Sequence, residues 1–353
     1  NIISSKMKNK NIMRSVITIL FLILLFVFIY SAETTTFANA FIKDVPLAIK
    51  IVLPQIYFLY NAVTNASMLW FLAFVVINLS FATISIIVVS ISYKKINSAL
   101  NTNLKSKNKG KIYYKKSKVI FSLVKKEAKT FFSTPIYLMN GIMGPVLVII
   151  MAVMLANGIW KISGEGLNIY AIISMTLLTL PIGLVPTTAV SISIEGDKFY
   201  TLKSLPIKYE TIIISKIAFN LILSFPFLLI AQIILWAVNP FELGICILLF
   251  FYYTISLILY SSFGMLMNLK MPRLKWSSET QAVKQGGSLI VTMIVNMIVS
   301  FLPLILYFVF GSSIASMGLV LYMGILFVFN LVLLIVLLVL LFTIGKRLYA
   351  KIQ

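Results

Sequence analysis

The polar groups that interrupt the longest apolar runs of this chain are amides. Asn78, Asn220, Gln232, Asn296 and Asn330 each stand inside such a run. A side-chain amide in a bilayer either hydrogen-bonds between helices or lines a substrate path, and the residues alone leave both roles open. The nine acidic residues lie in connecting segments or at the ends of the runs, and histidine is absent. Ion-coupled transport and intramembrane hydrolysis use carboxylates, imidazoles or paired charges within the membrane, so both are disfavoured. Cys246 is the one cysteine and sits in an apolar run, which leaves no disulfide framework and no thiol metal site. No Gly-x-x-x-x-Gly-Lys-Ser/Thr loop occurs, so the chain has no familiar route to ATP. The expectation is a protein that is not an enzyme, without catalytic or metal-binding residues, whose energy must enter from a partner.

Two polar segments carry more information. Val119, Ile120, Leu123, Val124, Ala128, Phe131 and Phe132 cover one broad face of a helix, and Lys118, Lys125, Lys126 and Lys129 cover the other. That pattern describes an interfacial helix that precedes a turn into the bilayer at Pro135. Glu127 projects within the apolar arc, where it pairs with a cation, faces another protein or snorkels to headgroup-level lysines. The second segment runs from Glu195 to Glu210. Its Phe199, Tyr200, Leu202, Leu205 and Ile207 predict a short amphipathic helix that lies on the membrane or docks into a partner.

The elements that must position these residues are membrane spans. Of the 353 residues 60% are hydrophobic and 11% charged, with a mean hydropathy of +1.03. The fold class is an all-α polytopic membrane protein of about eight transmembrane helices, each needing about 20 apolar residues. The expected spans are Ser15–Ala32, Ser67–Tyr93, Pro135–Asn157, Asn168–Ser193, Thr211–Val238, Phe241–Asn268, Ser288–Phe310 and Met317–Gly345. With both termini cytosolic, Lys43, Lys50 and Lys161 are the only cations left outside, as the positive-inside rule requires. The net charge of +21 thus reflects topology in a cytoplasmic membrane, not nucleic-acid binding. Phe41–Val63 contains Lys43, Asp44, Lys50 and Pro54 and reads as an outer-face or re-entrant segment, while Ser15–Ala32 has a signal peptide as its alternative reading. Pro181, Pro186, Pro226 and Pro303 are hinges or ordinary kinks. The polar stretch 94–118 reads as a flexible cytosolic linker.

Taken in order, these segments resemble the permease subunits of type-2 ATP-binding-cassette exporters, in the duplicated, Gram-positive-type branch. Lys126-Glu127 followed by Pro135 and Pro145 is similar to the family's elbow helix, here 119–134. Glu195-Gly196, Leu202-Lys203-Ser204-Leu205-Pro206-Ile207 and Lys216 resemble its cytosolic coupling loop, here 194–210. The stretch from Asn268 through Pro272–Trp276 and Glu279 to Val283-Lys284-Gln285 is similar to the loop between its fourth and fifth spans. The resemblance implies that 119–353 is a complete six-span half. It further implies that 1–93 holds the last two spans of a preceding half, the rest of that N-terminal half being a missing partner. It also implies a cytosolic ATPase subunit that holds ATP and magnesium, no cofactor in this chain, and export of a substrate. Phe199–Ile207 would insert into the ATPase, with Glu195, Lys203 and Glu210 giving polar registration and Gly196 belonging to the same coupling segment. Charge reversal of Glu195 with replacement of Leu205 is then expected to uncouple export without loss of folding. Rival readings are a secondary transporter or channel and a non-transporting scaffold or immunity protein.

Overall fold

Within a bilayer only a helix satisfies its own backbone along a single run of residues, and the computed structural model folds the apolar runs that way. The structure describes residues 57–59, 61–62, 65, 67–101, 118–156, 167–184, 186–239 and 241–352, and among these there is no strand. The expected span Ser15–Ala32, nearly all of Phe41–Val63 and the linker beyond residue 101 lie outside the described residues.

Helix α1 spans Met68–Asn101. It carries eight residues of the expected linker, Lys94–Asn101, because no proline or glycine stops it there. At its start Trp70 lies 5.7 Å from the rings of both Tyr57 and Phe58. This helix belongs to one unit of the chain, and residues 116–353 belong to a second.

The second unit begins with α2, Val119–Ser133, and α3, Pro135–Ala156. Thr134 between them is extended, the conformation that a following proline imposes. Then come α4, Leu167–Leu184; α5, Lys198–Lys203; α6, Tyr209–Val238; and α7, Leu243–Lys270. Helices α8, Glu279–Lys284, α9, Gly287–Met317, and α10, Leu319–Lys351, complete it. Six helical segments of this unit are long and apolar enough to cross a membrane. Most of their bounds fall within a few residues of those expected.

Helix α4 is central. Some 76% of its apolar window is buried, against 22% for α10, which therefore lies at the edge of this unit's core. It packs on α3, α7 and α9, and its Ile172, Met175 and Leu178 join Tyr252 and Tyr253 of α7 in the main core. In lipid such packing rests on close van der Waals contact, so small residues matter at crossings. At Gly144 of α3 a Cβ would stand 2.5 Å from the Pro181 carbonyl of α4, so this crossing admits only glycine without displacement.

One expected span is corrected. Asn168–Ser193 is not a continuous helix: α4 stops at Leu184, Pro186 is extended, and two short 3-10 turns, Thr187–Ala189 and Ser193–Glu195, carry the chain onward. Hydropathy reads this stretch as span because its side chains are apolar or small. Proline disfavours the helical conformation in the residue before it, and the break follows.

Candidate functional site

A broken helix exposes backbone donors and acceptors that must find partners when buried. Residues Thr187–Glu195 are buried, and amides for which interhelical bonding and path-lining both stood open supply several of those partners. Asn220 of α6 accepts from the Thr187 amide at 3.0 Å and its hydroxyl at 2.7 Å, and donates to Ser261 of α7 at 2.7 Å. Asn296 of α9 donates to the Gly183 carbonyl at 2.9 Å, at the frayed end of α4. Asn330 of α10 donates to Ser256 at 3.1 Å, an interhelical bond. Asn78 bonds the Phe74 carbonyl of its own helix and is exposed, while Gln232 is buried with neither amide atom partnered among the described residues.

The strongest of these braces was not singled out as a site from sequence. Asn268 of α7 accepts from the amides of Ile192 and Ser193 at 2.7 and 3.3 Å and donates to the hydroxyls of Ser193 and Ser288 at 2.8 and 3.2 Å. Ser193 also accepts from the Arg273 amide on its hydroxyl and from the Trp276 indole on its carbonyl. Its only sequence signal was its place at the start of a longer motif.

Directly after this brace the chain enters an ion cluster. Lys216, in the second turn of α6, has a fully buried side chain. Its ammonium lies 2.7 Å from Glu127 of α2, 2.5 Å from Glu195 of the second 3-10 turn and 3.2 Å from the Ser191 carbonyl, so all three donors are used. Lys126 reaches the other oxygen of Glu195 at 2.8 Å from a partly exposed position. Two carboxylates and two ammoniums thus balance. Leu123, Glu127 and Phe131 form the buried stripe of α2, one turn apart, with Val119 and Phe132 left exposed. Of the roles open to Glu127, pairing with a cation is the one adopted. Burial raises its carboxyl above the ordinary value, against the pull of Lys216. Glu195 is also desolvated, but Lys216 and Lys126 together outweigh burial and hold its carboxyl below the ordinary value. Gly196 follows with φ +54, and a Cβ there would stand 3.2 Å from the Leu274 carbonyl, so glycine is required by conformation and space alike.

Beyond Gly196, α5 sits on the ends of the spans. Phe199 is fully buried with its ring 5.5 Å from Tyr349 of α10, and Leu202 is buried beside Leu123 and Ile212. Lys203 donates to the carbonyls of Ala350 and Ile352 at 2.9 and 2.8 Å, and Tyr209 to that of Leu341 at 2.8 Å. Glu210 pairs with Lys346 at 3.1 Å in an exposed bridge. Ile207 is half-buried, whereas Tyr200, Ser204, Leu205 and Pro206 face outward. Phe199, Leu202 and Glu195 are therefore turned into the chain, while Tyr200, Thr201 and Ser204–Pro206 are exposed among the described residues. Charge reversal at Glu195 would place a cation against Lys216 and Lys126 in a buried ion cluster, so it would act on the packing of the chain as well as on any partner. Pro135 starts α3, and Phe131 packs on Tyr137 just beyond it, 5.1 Å between rings.

Among the described residues no group of histidine, cysteine or acidic side chains is placed to hold a metal ion. The site fastens α2, the broken end of α4, α5, α6 and α10 at one level. The sequence model of a family described as "Membrane protein of 12 TMs" matches residues 2–347. No curated protein and no solved structure matches.

Proposed function

Because the chain belongs to this family of membrane proteins with 12 TMs, we propose that it is a permease of an ATP-binding-cassette exporter in the cytoplasmic membrane, driven by a separate ATPase subunit. Twelve spans equal two six-span halves, the arrangement of the duplicated exporter permeases it resembles. The observation that carries the proposal is the seating of α5. Its inner residues are clamped to α2, α6 and α10, while Tyr200 and Leu205 are presented outward. A force applied to the outer residues is passed through Lys203, Tyr209 and the Lys216 cluster to several spans at once. ATP and magnesium belong to the partner, whose closure is the energy source.

The test is co-expression of the chain with a phosphate-loop ATPase from a neighbouring reading frame. The wild type is expected to co-purify with that ATPase, and Leu205→Asp to release it while unfolding at the same temperature. Retention of the ATPase by a folded Leu205→Asp variant, or its failure to bind the wild type, would overturn the docking role of this segment.

A further inference from the structure

A cleft of about 510 Å³ opens at the ends of α7 and α10, bordered by Tyr200 of α5. Four of its lining residues are cations, Lys270, Arg273, Lys275 and Lys351, and none is an acid. Among the described residues none of the four enters an ion pair; the Arg273 guanidinium donates to the Gln285 carbonyl at 3.0 Å. Leu269, Leu274 and Leu348 supply apolar surface between them. Like charges gathered without a counter-ion repel one another, so the cleft favours an anion.

Its level in the membrane narrows the choice. The 28 residues of α7 measure about 42 Å, close to the roughly 40–45 Å of a bilayer with its headgroups. Lys270 in its last turn therefore lies in the headgroup layer on the side to which the lysine distribution assigns the cytosol. Helix C-termini would ordinarily repel an anion, but Lys203 covers the Ala350 and Ile352 carbonyls, and Lys351 stands in the last turn of α10. We propose that this cleft binds the phosphate headgroup of an anionic phospholipid, with Lys270, Arg273, Lys275 and Lys351 around the phosphate and the leucines against the glycerol and first acyl carbons. Cationic clefts at cytosolic span ends suit such headgroups, and the mixture of charge and apolar surface fits an amphiphile better than free phosphate. The inference does not depend on the permease reading. The adjacency of Tyr200 means that a bound lipid would touch the segment assigned to the ATPase.

The full chain, delipidated in a neutral detergent, should be titrated with phosphatidylglycerol, cardiolipin, phosphatidylcholine and soluble glycerophosphate, with binding read by native mass spectrometry and thermal unfolding. The two anionic lipids are expected to bind and raise the unfolding temperature, and the other two to do neither. Neutralising Lys270, Arg273 and Lys351 to Gln should weaken that binding on the order of a hundredfold, from about fivefold per cation. The Lys270→Gln/Lys275→Gln pair should weaken it by a smaller factor, and Lys208→Gln, outside the cleft, should leave it unchanged. Equal binding of phosphatidylcholine, equal action of glycerophosphate, or unaltered lipid binding by the folded triple variant would each overturn the proposal. Loss of ATPase co-purification in a triple variant that still binds anionic lipid would assign the cleft to an acidic protein partner, also against it.

Discussion

Replacing Lys216 by Met removes the one buried cation that both buried carboxylates share. At 2.7 Å and an effective dielectric near 20, each attraction is on the order of 6 kcal/mol before desolvation is counted. Desolvation of the ions offsets most of this, and the measured cost of removing one partner of a buried pair is about 3–5 kcal/mol. Lys126 remains to Glu195, but Glu127 is left without a cation at hydrogen-bond distance, so the lower half of that range is a floor. For a unit of this size each kcal/mol moves the midpoint by about 2–4 °C, giving a fall on the order of 10 °C. The assay is thermal unfolding in detergent followed by size-exclusion chromatography. The triple variant Glu127→Gln/Glu195→Gln/Lys216→Met, in which no buried charge is left to strand and the partly exposed Lys126 can turn to solvent, should recover most of the loss, since buried ion groups replaced together by neutral ones of similar size are often tolerated. A Lys216→Met midpoint within 1 °C of wild type, or a triple variant worse than the single, would refute the reasoning.

Three further outcomes are expected. Asn268→Leu leaves the Ile192 and Ser193 amides without their acceptor, which should cost about 2–4 kcal/mol and accelerate hydrogen exchange at those amides, a local effect that mass-spectrometric exchange resolves. Gly144→Val must push α3 from the Pro181 carbonyl and should lower the yield of folded protein, whereas Gly244→Val, where a Cβ meets nothing within 4 Å, should not. The two carboxylates should respond oppositely to pH. The cost of burying charged Glu127 is fully present above its raised value and is relieved as pH falls toward 4.5, so wild type should gain on Glu127→Gln over that interval. The contribution of Glu195 is present above 4.5 and lost as pH falls through its lowered value, so wild type should lose its advantage over Glu195→Gln only below 4.5. Midpoints of the three proteins across that range check both signs.

The spans were legible because a bilayer demands long apolar runs, and α3, α6, α7 and α10 follow from composition alone. The break after Leu184 was not, because Val190, Ile192 and Ile194 satisfy a hydropathy window whether or not their backbone is helical. Asn220 and Asn296 were visible as buried amides, but their role depended on where unpaired backbone would lie, which composition does not report. Glu127 was placed correctly against the apolar arc by periodicity. Its partner stands 89 residues away, at a separation no local pattern encodes. Phe199 and Leu202 read as exposed anchors because an amphipathic helix has an apolar face whether that face meets a partner or the ends of its own spans.

The central claim is that α5 receives work from a separate ATPase and passes it to the spans. Its most direct measurement is the ATP hydrolysis rate of the partner subunit in proteoliposomes with wild-type chain and with Leu205→Asp, matched for folded protein. The account predicts stimulation by the wild type and hydrolysis at the partner's basal rate with Leu205→Asp. Equal stimulation by both proteins, or none by either, would contradict it.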